Sequence, residues 1–312
     1  GGAEGPDVTF DLGQKTHSFD EIEVKSGSLT IEDGIISSPQ VAGDARRLYI
    51  EIGASLDVAS SASVQGEHIW TNYGSTNIYG KVNDHADINV RDNSELYGLR
   101  GTVLVSGENA EAAFKTVAID GPMNGGAELK IQDKGTVDVA IAVIIGHDGF
   151  GKLILDGEGT VQESRLNVDG NFFVGLTAGD GRGEVTVQGG GAIEVDALYW
   201  QRTTEVRSKT TVTGVNSSIT SSVFELFGGD LLIEEGAKVV TTSTGKVWGT
   251  DTPKVTVDGA GSRWELSGNF TFGDPGGKAA EVMVSEGGII ESTGGNIVHR
   301  ANGKLLGNST IK

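Results

Sequence analysis

The side chains best suited to contacting another molecule in this chain are aromatic. Trp70, Tyr73 and Tyr79 fall between residues 61 and 84, and Tyr199 and Trp200 stand beside Arg202 in the stretch 198–206. Trp248 is expected in a turn, Gly245-Lys246-Val247-Trp248-Gly249. Aromatic rings next to an arginine offer rigid contact area and a cation together, which is why such groups often dominate binding surfaces. Aromatic faces also stack on sugar rings. The same residues can equally plug a core or cover irregular turns. Both readings stand at this level, and these seven residues are the candidate partner-binding positions.

Other chemistries have less to draw on. His17, His68, His85, His147 and His299 are scattered, with no HExxH or other paired spacing. Gly-x-Ser-x-Gly and the Gly-Asp-Ser-Gly context of secreted serine proteases are both absent. Gly179-x-Gly181-x-Gly183 superficially matches a phosphate-cradling loop, but such loops need a helix to follow, and here a strand pattern follows. Aspartate- and glycine-rich turns occur without the alternating acids and closing glutamate of an EF-hand, and without Gly-Gly-x-Gly-x-Asp. Carboxylates are so plentiful that a pair such as Asp156 and Glu158 does not mark a glycosidase, and arginine is thin and dispersed. There is no cysteine, so thiolate chemistry and disulfides are excluded. That absence also suits a chain that crosses a membrane unfolded. No catalytic, cofactor-binding or metal-ligating set is expected, and the chain reads as non-enzymatic.

Charge narrows the partners. The 43 acids outnumber 24 bases, giving a net charge of −19 spread along the whole length. Nucleic acid, heparin-like polyanions and anionic lipid all require a basic face, and no basic cluster is visible. The longest apolar run, Val139 to Ile145, is far too short to span a bilayer, so no membrane insertion by this segment is expected.

The elements that would position the aromatic residues come from a repeat. An alternating apolar strand, a short polar turn ending in glycine and a second apolar pair recur along the chain. Copies are Leu29-Thr30-Ile31 with Gly34 and Ile35, Leu129-Lys130-Ile131 with Gly135 and Val137, and Leu153-Ile154-Leu155 with Gly159 and Val161. Val185-Thr186-Val187, Leu231-Leu232-Ile233 and Val282-Met283-Val284 continue the series, and looser versions stand at Leu48-Tyr49-Ile50 and Ile88-Asn89-Val90. Alternation with period two puts one set of side chains inward and one outward. With 49 glycines, 5 prolines and only 6% aromatic residues, the composition suits a narrow core of Val, Ile, Leu and Ala.

Most copies lie near one or two multiples of roughly 19–25 residues, the length of a β-solenoid coil. The interval of 32 between Leu155 and Val187 does not fit and implies a coil with an insertion. The prediction is an all-β, right-handed parallel β-helix, residues 1–312 as a single elongated domain. Its core is expected to be two strands across, in roughly thirteen to fifteen coils, with loop insertions near 61–84 and 198–206.

A longer unit shows in the second half. Val255-Thr256-Val257-Asp258-Gly259-Ala260-Gly261-Ser262-Arg263-Trp264-Glu265-Leu266 leads to Asn269-Phe270-Thr271-Phe272-Gly273 and then to the Val282 strand. Phe172-Phe173-Val174-Gly175 and Val143-Ile144-Ile145-Gly146 repeat its aromatic-glycine element, and Ile219 takes the place of Trp264 in another copy. This unit resembles the repeats in passenger domains of bacterial autotransporters, the type V secreted proteins. The resemblance is clearest over 140–295 and holds only as strand-glycine rhythm over 1–139. It implies a secreted or cell-surface passenger acting in adhesion, self-association or biofilm formation, with a second copy or a host-cell glycan or protein as partner. A polysaccharide-active β-helix enzyme, a phage-spike-like module and a non-binding spacer are the alternatives. With no signal peptide or terminal barrel pattern and a start at Gly1, the chain reads as a passenger fragment.

Overall fold

The computed structural model describes residues 5–312 apart from 20, 38–45, 52–53, 67, 73–74, 85–86, 92–100, 109, 122–126, 148, 158–163, 176–180, 201–206, 275, 277–278 and 309. The described residues form 28 strands, all paired in parallel with strands of neighbouring coils. Each coil has three sides. Residues 127–132 lie in sheet 1, a turn at Asp133-Lys134-Gly135 follows, and Thr136–Ile145 passes along sheet 2 and bends into sheet 3. The chain then re-enters sheet 1 at Phe150–Asp156, directly above 127–132. The core is therefore a triangular prism rather than the two-strand sandwich expected from sequence.

One column of sheet 1 runs Val8, Leu29, Leu56, Thr76, Val103, Leu129, Leu153, Val185, Thr210, Leu231, Val255, Val282, Leu305. These thirteen rungs at about 4.8 Å give a rod of about 60 Å. Leu155 pairs with Val187, so the 32-residue interval is a single enlarged coil. Leu48–Ile50 and Ile88–Val90, the looser copies of the motif, belong to sheet 3 instead. Residues 62–66, 68–72, 75–78 and 81–84 are ordinary strands of sheets 2, 3, 1 and 2, so the described residues of 61–84 follow the regular coil rather than an insertion.

Inside, alternation buries every second residue, as in the buried–half-buried rhythm of Ala127–Gln132. From Leu12 to Val168 the buried hydrophobic residues among those described are aliphatic except Phe114. Above them the filling turns aromatic. Trp200, Phe224, Trp264, Phe270 and Phe272 touch in series, with ring centroids 4.6–5.6 Å apart, and His299 stacks on Phe272. Gly245 sits beside this series. It occupies the inward column of sheet 3 between Phe224 and Phe270, where a Cβ would meet Leu266 Cδ2 at 2.5 Å and press on the Phe270 ring at 3.3 Å.

Two columns alternate from coil to coil. At the corner before sheet 2 stand Gly135, Ser164, Gly191, Ser217, Ala237, Ser262 and Gly288, joined rung to rung by backbone hydrogen bonds one residue on. The three serines are buried. Their hydroxyls accept from the turn amides of Lys134, Gly190 and Gly236 in the coil below, at 3.0–3.1 Å, where the backbone could not otherwise satisfy them. On the outer edge of sheet 1, Glu128, Lys152, Glu184, Lys209, Asp230, Lys254, Glu281 and Lys304 occupy successive rungs with charges of alternating sign.

Candidate binding surface

The seven aromatic and arginine candidates separate into different places. Tyr73 and Arg202 lie outside the described residues. Trp70 occupies a register position between Leu48 and Ile88 in sheet 3, and its side chain is likewise outside what is described. Trp200 is not a surface residue: it is 1% exposed, packs on Phe224, and donates its indole N–H to Thr210 Oγ1 at 2.7 Å. Alternation along Ala192–Trp200 turns Leu198 and Trp200 inward and leaves Tyr199 half-buried on the outside. Tyr79 is exposed at the bend between sheets 1 and 2, far along the rod from Tyr199 and Trp248.

Tyr199 and Trp248 do share a face. Ile144, Phe173, Tyr199, Glu225, Lys246, Thr271 and Val298 follow one another on the outside of sheet 3, one per coil. Phe173 and Tyr199 stack at 5.5 Å with planes 19° apart. Next along, Lys246 Nζ donates to Glu225 Oε1 at 2.7 Å. Trp248 is part of the long strand Lys238–Asp258, not of a turn, and leaves sheet 3 at the corner towards sheet 1. Its ring packs on Phe227 of the coil below at 4.8 Å. With Lys246, Thr271, Gly273, Asp274 and Arg300 it lines a cleft of about 220 Å³.

The outer edge of sheet 1 presents the second kind of surface. Its lower rungs carry Asp7, Ser28, Ser55, Ser75 and Thr102, with Ser28 Oγ donating to Asp7 Oδ1 at 2.6 Å and Ser75 and Thr102 hydroxyls 2.9 Å apart. The same column continues into the alternating charges. Lys152 pairs with Glu128 at 3.1 Å, and Glu281 lies between Lys254 at 3.6 Å and Lys304 at 3.2 Å. Hydrogen bonding from Lys304, and the charge of Lys254, hold the Glu281 carboxyl below its usual range. Each exposed pair contributes little by itself, roughly 0–1 kcal/mol. The extent of the strip is what distinguishes it.

Sequence reading missed this strip and most of the cleft. A signal for the strip exists: each charge immediately precedes the first large inward residue of its sheet 1 strand, as in Glu128-Leu129, Lys152-Leu153, Glu184-Val185, Asp230-Leu231 and Lys254-Val255. Arg300 and Asp274 carried no such mark, because they meet Trp248 only through coil stacking.

A scan against known family models finds no match, and neither does a search of curated proteins. Among solved structures, the crystal structure of a TibA fragment (55–350), hyper-glycosylated by TibC, matches over 94% of this chain and 95% of that one. The sequence identity is 16% and the TM-score is 0.32.

Proposed function

We propose that this protein is a non-catalytic adhesive rod, secreted or held at a bacterial cell surface, whose outer faces bind a second copy of itself or a host-cell glycan or protein. The observation that carries this reading is the unbroken outer column of sheet 1. Five hydroxyl or acidic rungs lead into eight rungs of alternating charge, repeated at the spacing of the coils. A strip with this pattern is complementary to an antiparallel copy of itself, because a positive rung on one rod can face a negative rung on the other. Many weak contacts held on one rigid frame then act together, and avidity replaces any single strong site. The resemblance of residues 140–295 to autotransporter passenger repeats supports the same reading and the surface location.

Sedimentation velocity in low and high salt, together with aggregation of cells displaying residues 1–312, tests the proposal. Self-association or cell binding that weakens with salt supports it. A monomer at all concentrations that neither aggregates nor binds cells overturns it. Replacing Lys152, Lys209 and Lys254 together by Gln should abolish salt-sensitive association while leaving the β-sheet circular dichroism intact.

A further inference from the structure

We infer that the cleft at Trp248 is a subsite for a single carboxylated sugar. The register carries the argument. Val247, Phe272 and His299 occupy one column, and the amides of Gly273 and Arg300 donate to Val247 O at 3.0 Å and Phe272 O at 2.9 Å. Trp248, Gly273 and Arg300 are therefore stacked in three consecutive coils. Gly273 contributes no side chain between the indole below and the guanidinium above. Its φ is +87°, and a Cβ there would meet the backbone of Gly303 at 2.6 Å, so the position does not admit a larger residue. Two coil steps separate Trp248 from Arg300, about 9.6 Å, which leaves room for one ring in van der Waals reach of both.

The chemistry of the walls selects the ring. Phe227 packs on Trp248 with the two planes 47° apart and supports it as an apolar platform of the kind on which the C–H face of a pyranose rests. Lys246 is engaged with Glu225, whereas Arg300 is exposed and makes no ion pair among the described residues. A guanidinium offers paired donors in a plane that matches a carboxylate. Thr271 and Asp274 line the same cleft and supply a hydroxyl and an acceptor for sugar hydroxyls. On a chain with net charge −19, an available arginine above an aromatic platform is a local exception that favours an anionic ligand. The subsite rests on the adhesive reading only in taking the outer surface as the working part of the protein.

Two sources share this chemistry: uronic acids of a polysaccharide and sialic acids of a host glycan. Titration of the full chain with oligogalacturonate, sialyllactose and lactose, followed by calorimetry or NMR, separates them. The expected result is binding of one or both acidic sugars with Kd between about 0.1 and 10 mM, as one shallow subsite allows. Lactose should bind at least fivefold more weakly. Arg300→Gln, at an exposed position, should remove the preference for acid and leave residual neutral binding. Trp248→Ala should abolish binding of all three, and Tyr79→Ala should change nothing. Equal affinity for lactose and the acidic sugars, no binding of any, or unchanged titrations in both cleft variants would overturn the inference. None of those results touches salt-sensitive self-association, which the lysine-ladder variant tests separately.

Discussion

The lower and upper parts of the rod solve the same packing problem with different materials. Up to about residue 168 the described core is aliphatic apart from Phe114, and as far as Thr102 the outer column of sheet 1 is mostly hydroxyl. Above it, a run of touching aromatic rings fills the centre and the column alternates in charge. Inward threonines show the contrast at one kind of position. Thr210 and Thr241 receive indole N–H bonds from Trp200 and Trp264, at 2.7 and 3.1 Å. Thr76, inward in the lower part, is buried and its hydroxyl has no partner among the described residues. Ser221 is the upper part's own unpaired hydroxyl, so the difference is one of degree. Strand rhythm alone sets the coil, and the choice of filling then sets how much each coil contributes.

The largest test of that contrast is truncation inside each core. Trp264→Ala should cost about 3–5 kcal/mol in denaturant unfolding, because the indole touches both Phe224 and Phe270 and leaves a cavity that the rigid sheets do not close. Val82→Ala, in the aliphatic part, should cost about 2 kcal/mol. Equal costs would show that the tryptophan contributes no more than a single valine despite its larger volume. The threonines give the next largest effect and an opposite sign. Thr210→Val should lose about 1–3 kcal/mol by stranding the Trp200 N–H, whereas Thr76→Val should be neutral or stabilising, since it removes an unpartnered buried hydroxyl.

Outer columns respond more weakly. Lys209→Glu places a third acid between Glu184 and Asp230 and should lower stability by less than about 1 kcal/mol, most at low ionic strength. Thr102→Gln in the hydroxyl column should show no salt dependence. The smallest effect is with pH. The Glu281 carboxyl is held below its ordinary value of 4.5, so the folded state binds this proton less readily than the unfolded one. Its contribution is complete above that ordinary value and disappears as pH falls through the lowered one. An acid titration of Glu281→Gln should therefore be flatter there than that of the parent chain.

The features that sequence exposed were those written within one coil. Strand-glycine rhythm identified the solenoid, and Val143, Phe172 and Phe270 fall in one column of sheet 3 as the aromatic-glycine element implied. The second apolar residue of the motif was displaced by one in places: Ile36 and Ile290 are the fully buried ones, not Ile35 and Ile289. Features written between coils stayed hidden. Three sides instead of two allow a similar motif to recur on another sheet, which is how Leu48–Ile50 entered the wrong series. Trp200 was legible, because strict alternation from Leu198 already points it inward, but its neighbour Tyr199 drew both to the surface. Arg300 lies 52 residues from Trp248 and meets it only once the register is known.

The serine corner and the charged column share a phase. Lys152, Lys209 and Lys254 each open a coil whose corner holds Ser164, Ser217 or Ser262, and Glu128, Glu184, Asp230 and Glu281 each open one whose corner holds Gly135, Gly191, Ala237 or Gly288. The upper rod is thus a stack of two-coil cassettes, each with a basic and an acidic half, like a thread with two starts. Such an object can be lengthened or shortened by whole cassettes without disturbing either column. Excising one coil would oppose like charges and bring serine against serine, or glycine against glycine or alanine, so the permissible unit of growth is about two coils, not one.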